Sequence, residues 1–242
     1  LWEERWGVHA FTVATVYGGL KAARNFAVCF GDRAKAETYN RAAEEIKAAA
    51  EKHLWSPKLN RFVRRLVPRD NPLPPDNPSY QDPMTQEAKG DGTVDSQLPI
   101  AESHLSDEGR ASAGENPKSA IGNWQYRTED LFEIDEVIDS SLYAIYKFHL
   151  FEADDPRVES TMKQVEEKLW VKTRVGGVAR YENDYYHRIS DNIKDVPGNP
   201  WFICTLWLAD YFISRAQSIA DLKMALPIFE WTANHALESG IL

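Results

Sequence analysis

Residues 2–6 read Trp-Glu-Glu-Arg-Trp, two adjacent carboxylates set between two indoles. Cleaving a glycosidic bond calls for two carboxyl groups, one protonated to hand its proton to the departing oxygen and one ionised. A neighbouring negative charge and an apolar wall both disfavour ionisation, so Glu3 or Glu4 beside tryptophan could hold a proton at neutral pH. In an extended segment successive side chains point to opposite sides. One glutamate can then face a reacting bond while the other reaches a neighbouring sugar or a structural partner. Acidic pairs are also common on solvated surfaces, and the pair alone leaves both readings open.

Two further segments mix charge, amide and aromatic groups at high density: Arg180-Tyr181-Glu182-Asn183-Asp184-Tyr185-Tyr186 and Gly198-Asn199-Pro200-Trp201. Together with residues 2–6 they have the composition of a carbohydrate site. Flat rings lie against the apolar faces of sugars there, and carboxylates, amides and guanidinium groups bond the hydroxyls. Taken singly, each has a plainer reading: Arg180 and Asp184 as a loop ion pair, Trp201 as core packing ahead of Phe202 and Ile203. His9 and His187 lack neighbours at metal-ligand spacing. With no Gly-rich phosphate loop, zinc-type cysteine spacing or serine elbow, carboxylate chemistry remains, and no cofactor or metal is expected.

The elements that would present these loops are mostly helical. Apolar residues recur at helical spacing from His9 to Phe30 (Phe11, Ala14, Val16, Leu20, Ala23, Phe26, Cys29, Phe30). Gly31 and Asp32 then supply a stop and a fresh cap, and residues 32–54 repeat the pattern, predicting an antiparallel helical hairpin. A turn at Pro57 and Asn60 leads to a short extended piece at Phe62 and Val63. Residues 68–123, rich in Pro, Gly, Ser and Asp, read as a long irregular insertion. Helices are expected again over 137–151 and 156–170, with Pro156 suited to the first turn. An extended, glycine-punctuated stretch over 171–188 follows, then helices over 201–216 and 218–237, the last bent or interrupted at Pro227. An internal echo links "EKHLWSPKLNRFVR" and "EEKLWVKTRVGGVARY": each runs helix, Leu-Trp, turn, short strand, Arg. Helix pairs used repeatedly give a solenoid or a closed ring, and in a ring the loops at one end converge.

The 242 residues, 43% of them hydrophobic, suffice for a sizeable core. A net charge of -9, from 28 Lys and Arg against 37 Asp and Glu, disfavours nucleic acid or anionic lipid as partner. No apolar run approaches the roughly 20 residues that cross a bilayer, and no signal-peptide pattern opens the chain. Cys29 and Cys204, in apolar stretches far apart, read as two buried thiols, which favours a reducing, cytoplasmic setting.

"LWEER" followed by "FT", then "GGVARYENDYY", then "GNPWFICTLW" resemble, in this order, the glucoamylase-like glycosidases of glycoside hydrolase family fifteen, in the bacterial and archaeal style. The resemblance covers most of the chain outside the insertion. It implies an all-α fold, part of an α/α-toroid of six helical hairpins in a single catalytic domain over 1–242. It also implies hydrolysis of terminal α-glucosidic bonds with inversion. Carried over residue by residue, it makes Glu3 the general acid, Glu4 a contact to sugar hydroxyls near the leaving group, Arg180 a hydroxyl-binding guanidinium and Trp201 part of the acceptor side. Trp2 and Tyr181 become shaping residues. The choice of Glu3 over Glu4 comes from the resemblance alone.

Leu1 stands where an initiator would, so the chain is expected to be the interior of a longer one, incomplete at both ends. The family's base would follow Leu242. Inversion needs carboxyl groups roughly 6.5 to 9.5 Å apart, so the chain alone is expected to hydrolyse little, and its helices to expose faces meant for missing neighbours. Trehalose or α-1,6-linked glucans, the latter as in glucodextranases, are alternative substrates on the same fold. A non-catalytic toroid that binds carbohydrate or protein is the alternative of another class.

Overall fold

A computed structural model describes residues 6–69 and 128–241. Glu3, Glu4 and Trp2, and nearly all of the expected insertion, lie outside the described residues. After a two-residue strand β1 (Val8–His9) come α1 (Ala10–Cys29) and α2 (Arg33–His53). As expected they form an antiparallel hairpin. The Asp32 side chain caps α2 by accepting from Lys35 N at 3.0 Å. Lys21 reaches across to Asn40 Oδ1 at 3.3 Å and Glu44 Oε1 at 3.2 Å.

The packed face of α1 is only in part the one the apolar spacing suggested: Phe11, Ala14 and Leu20 face the core, but the face turns away toward the C-terminal end. Ala10, Ala14, Tyr17 and Ala27 are buried, whereas Phe26 and Phe30 are 66% and 83% exposed. Cys29 is exposed as well, so only Cys204 is a buried thiol; neither is in a disulfide. α1 is apolar on more than one side, and spacing alone does not choose between sides. The small residues Ala14 and Ala43, both fully buried, are the ones suited to close helix approach.

Strands β2 (Trp55–Ser56) and β3 (Arg61–Phe62) form a hairpin turned at Asn60, whose φ is +50°. β4 (Arg65–Pro68) pairs antiparallel with both β1 and β5 (Phe132–Ile134), which follows the short α3 (Thr128–Leu131). The strand thus runs through Pro68, where the insertion was expected to begin.

The helix expected over 137–151 is much shorter. A 3-10 turn (Ser140–Tyr143) and α4 (Ala144–Lys147) replace it, and His149 at φ +57° ends the run. Upstream, the backbone is drawn into extended pairing: Ile138 N donates to Glu182 Oε2 at 2.9 Å, and Glu182 N to Ile138 O at 3.1 Å. Asp139 then caps the turn through Ser141 N at 2.8 Å.

Beyond these lie α5 (Pro156–Leu169) with Pro156 in its first turn, α6 (Phe202–Arg215), α7 (Ile219–Leu222) and α8 (Leu226–Asn234). The helix expected over 218–237 is interrupted, as anticipated, by a 3-10 turn (Lys223–Ala225), and Pro227 lies in the first turn of α8, where its missing N–H is harmless. The core gathers Ile138, Leu142, Ile145 and Leu150 with Val158, Met162, Val165 and Leu169 of α5 and Leu208 and Ala209 of α6. Burying each large aliphatic side chain contributes about 1.5–3 kcal/mol.

The internal echo is a structural repeat. Trp55 pairs with Phe62 and Trp170 with Val178. Val63 N donates to Leu54 O at 2.8 Å, and Ala179 N to Leu169 O at 2.9 Å. A buried threonine accepts from the backbone at the same step of each copy: Phe62 N to Thr161 Oγ1 at 3.0 Å, Val178 N to Thr205 Oγ1 at 2.9 Å. Arg64 and Arg180 therefore occupy matching positions.

Candidate functional site

Residues 178–186 are held between two other segments. On one side Ser140 N donates to Arg180 O at 2.8 Å and Asp139 bridges to Tyr181. On the other Ala179 bridges to Pro200, and Trp201 N donates to Val178 O at 2.9 Å. Asn199 Nδ2 clamps the far end of the loop by donating to His187 O at 2.8 Å and Tyr186 O at 3.2 Å. Long-range backbone bonds give this irregular stretch a fixed path.

Arg180 and Asp184 form a fork-to-fork pair: Nε to Oδ2 and Nη2 to Oδ1, both 2.7 Å, with side chains 7% and 0% exposed. Asp184 Oδ1 also accepts from Tyr186 N at 3.0 Å. The guanidinium carbon lies 5.3, 4.9 and 5.4 Å from the ring centres of Tyr181, Tyr186 and Trp201. Cation and rings attract at such distances. The planar group is thus fixed in orientation before any ligand arrives. The loop ion pair and the aromatic cluster, alternatives in sequence, are one object.

Trp201 is half-buried at the entry to α6, and its Nε1 is buried with no hydrogen-bond partner among the described residues. Tyr181 is buried, whereas Tyr186 is 45% exposed. Arg180, Tyr181 and Trp201 are thus brought together as expected. Of their relation to Glu3, Glu4 and Trp2 only the connecting chain is described, beginning at Trp6.

Sequence reasoning passed over four charged residues beside this cluster. Arg64, the echo's counterpart of Arg180, lies 5.2 Å from the Tyr181 ring centre. It donates through Nε to Asp135 Oδ2 at 2.9 Å and through Nη1 to Asp139 Oδ2 at 3.3 Å. Arg65 also binds Asp135, through Nε at 3.1 Å and Nη2 at 2.9 Å, and donates from Nη1 to Trp6 O at 2.9 Å. Burial alone would push the Asp135 carboxyl up, but the Arg64 charge, the Val137 amide and the Arg65 charge hold it below the usual carboxylate range. The matching position of Arg64 in the echo was the available signal.

Rings that can lie against a sugar face and an oriented guanidinium make the cluster suited to a neutral polyol; no group of three or more His, Cys, Asp or Glu among the described residues could hold a metal ion. No described helix is long and apolar enough to cross a membrane.

A family model described as glycosyl hydrolases family 15 matches residues 1–240. An uncharacterized glycosyl hydrolase of Methanocaldococcus jannaschii is 26% identical over 248 residues, covering 98% of this chain and 28% of its own length. The crystal structure of a bacterial glucoamylase complexed with acarbose matches with a TM-score of 0.60 at 20% identity, over 100% of this chain and 29% of that one. That likeness is one of fold, and the chain is a part of an (α/α)6 toroid, as expected. The chain spans less than a third of the length of either relative.

Proposed function

The chain belongs to glycosyl hydrolases family 15, and from that premise we propose that it is part of the catalytic domain of an inverting, exo-acting α-glucosidase of glucoamylase type. Glu3 gives its proton to the glycosidic oxygen while positive charge develops at the anomeric carbon, and water attacks from the opposite face under a second carboxylate. Arg180 donates to sugar hydroxyls, and Glu4 does the accepting near the leaving group. Trp201 lines the acceptor side, with Tyr181 and Trp2 shaping the pocket.

The observation that carries this reading is the Arg180–Asp184 pair ringed by Tyr181, Tyr186 and Trp201. A guanidinium locked by a wholly buried carboxylate can bond hydroxyls without first losing its own conformational freedom. The two partly exposed rings beside it, Tyr186 and Trp201, supply apolar faces of the kind pyranose rings rest on.

Maltose, isomaltose, dextran, starch and trehalose, assayed side by side with the complete polypeptide that carries this chain, test the proposal. Release of glucose from maltose and starch with the β-anomer first in the NMR spectrum is the expected result. Fresh α-anomer, or no release from any substrate, would refute it.

A further inference from the structure

Asp135 joins two arginines, one bound to Trp6 and the other lying against the ring of Tyr181 in the Arg180 loop. One oxygen, Oδ2, takes Arg64 Nε at 2.9 Å and Arg65 Nε and Nη2 at 3.1 and 2.9 Å; Oδ1 takes Val137 N at 3.1 Å. The carboxylate is 9% exposed, and the side chains of Arg64 and Arg65 are 9% and 17% exposed. Each guanidinium then reaches in a different direction.

Arg65 reaches Trp6, which follows the two glutamates in sequence. Its Nη1 binds Trp6 O, three positions beyond Glu3. The next residue, Gly7, runs at φ +142° so close to β4 that a Cβ there would sit 2.7 Å from Leu66 O and 2.9 Å from Arg65 Cγ. Val8 and His9 then pair with Leu66 and Arg65, and Ala10 N donates to Arg64 O at 2.9 Å. The chain leaving residues 2–6 is clamped over its next four residues.

Arg64 reaches the other way. It binds Asp139 and lies against the Tyr181 ring, whose other guanidinium neighbour is Arg180 at 5.3 Å. Asp139 caps the turn whose Ser140 N donates to Arg180 O. Arg65, Asp135, Arg64 and Asp139 thus form a largely buried chain of alternating charge that leads from Trp6 to the turn paired with the Arg180 loop. Buried pairs of this kind are costly to desolvate and contribute little net stability, so holding one geometry is the role they fit best.

We propose that Asp135 is a positioning residue that, through Arg65 and Arg64, holds residues 6–10, the chain that follows Glu3 in sequence, in register with the Arg180 loop. The proposal rests on the glucosidase reading for its kinetic consequence, but not for the mechanical coupling itself. An acid displaced by about 1 Å costs on the order of 10²-fold in turnover, while sugars bound mainly through the Arg180 cluster bind as before.

The test compares wild type, Asp135→Asn and Arg65→Lys in the complete polypeptide, by maltose kinetics and by amide hydrogen exchange. Arg65→Lys keeps the charge without the fork, and serves where Asp135→Asn fails to fold by circular dichroism. The expected result is a kcat reduced about 10²-fold in Asp135→Asn with KM nearly unchanged, together with lost exchange protection in both 7–10 and 178–184. A lowered melting temperature with wild-type kcat, or protection lost in 7–10 alone, overturns the proposal. If wild type hydrolyses no glucoside, the glucosidase reading fails by itself, and the exchange result alone decides the coupling.

Discussion

Arg180 and Asp184 meet through two parallel hydrogen bonds of 2.7 Å with the carboxylate wholly buried. Removing one partner strands the other charge away from water, which costs about 3–5 kcal/mol. Asp184→Ala is therefore expected to lower the unfolding free energy by about that amount in urea titrations, more than Arg157→Ala at the partly exposed Asp155 pair. An exposed ion pair contributes only about 0–1 kcal/mol, and a loss of that size at Asp184 would mean the pair is wet.

Gly198 sits against the same carboxylate. A Cβ there would lie 2.6 Å from Asp184 Cβ, a distance real contacts do not show, so Gly198→Ala must push Asp184 or the 197–201 backbone aside. Arg180 loses its fixed orientation with it. Weaker binding of maltose with the circular dichroism spectrum retained is the expected outcome; unchanged KM would show that the guanidinium's placement does not matter to the sugar.

Acid sensitivity has an identifiable contributor at the start of α5. Asp155 caps the helix through Arg157 N at 2.8 Å, and its bonds to the Arg157 side chain hold its carboxyl below the usual range. Because the folded value is the lower one, the stability it contributes is complete above the unfolded value of about 3.9 and is lost as pH falls through the folded value. Asp155→Asn should flatten the stability profile in that acidic window while leaving the slope between pH 6 and 8 as in wild type. Equal slopes below about pH 4 would exclude the residue.

The two thiols should behave oppositely. Cys29 is exposed, whereas burial pushes the Cys204 thiol up to about 12, far from the thiolate that reacts. A colorimetric disulfide reagent should titrate Cys29 rapidly in the native protein and Cys204 only in denaturant. Rapid reaction surviving in Cys29→Ser would contradict the burial of Cys204.

What the sequence disclosed follows the range of the forces involved. The α1–α2 hairpin and its Asp32 cap were legible because spacing and cap act within four residues. The Arg180–Asp184 pair was legible for the same reason, and the echo that matches Arg64 to Arg180 could be read from two aligned strings. The extended run before Ser140 was hidden, because it depends on Glu182, 44 positions away. Asp135 was hidden too: its partners Arg64 and Arg65 lie 71 and 70 positions off, across the whole of 70–127. Nothing in a local window distinguishes such a carboxylate from a solvated one.

The proposed catalysis depends above all on Glu3. Turnover of maltose by Glu3→Gln, measured in the complete polypeptide against wild type with folding checked by circular dichroism, is predicted to fall to background, because an amide N–H is far too weak an acid to protonate the departing oxygen. Wild-type turnover in a folded Glu3→Gln protein would contradict the assignment and with it the mechanism built on this chain.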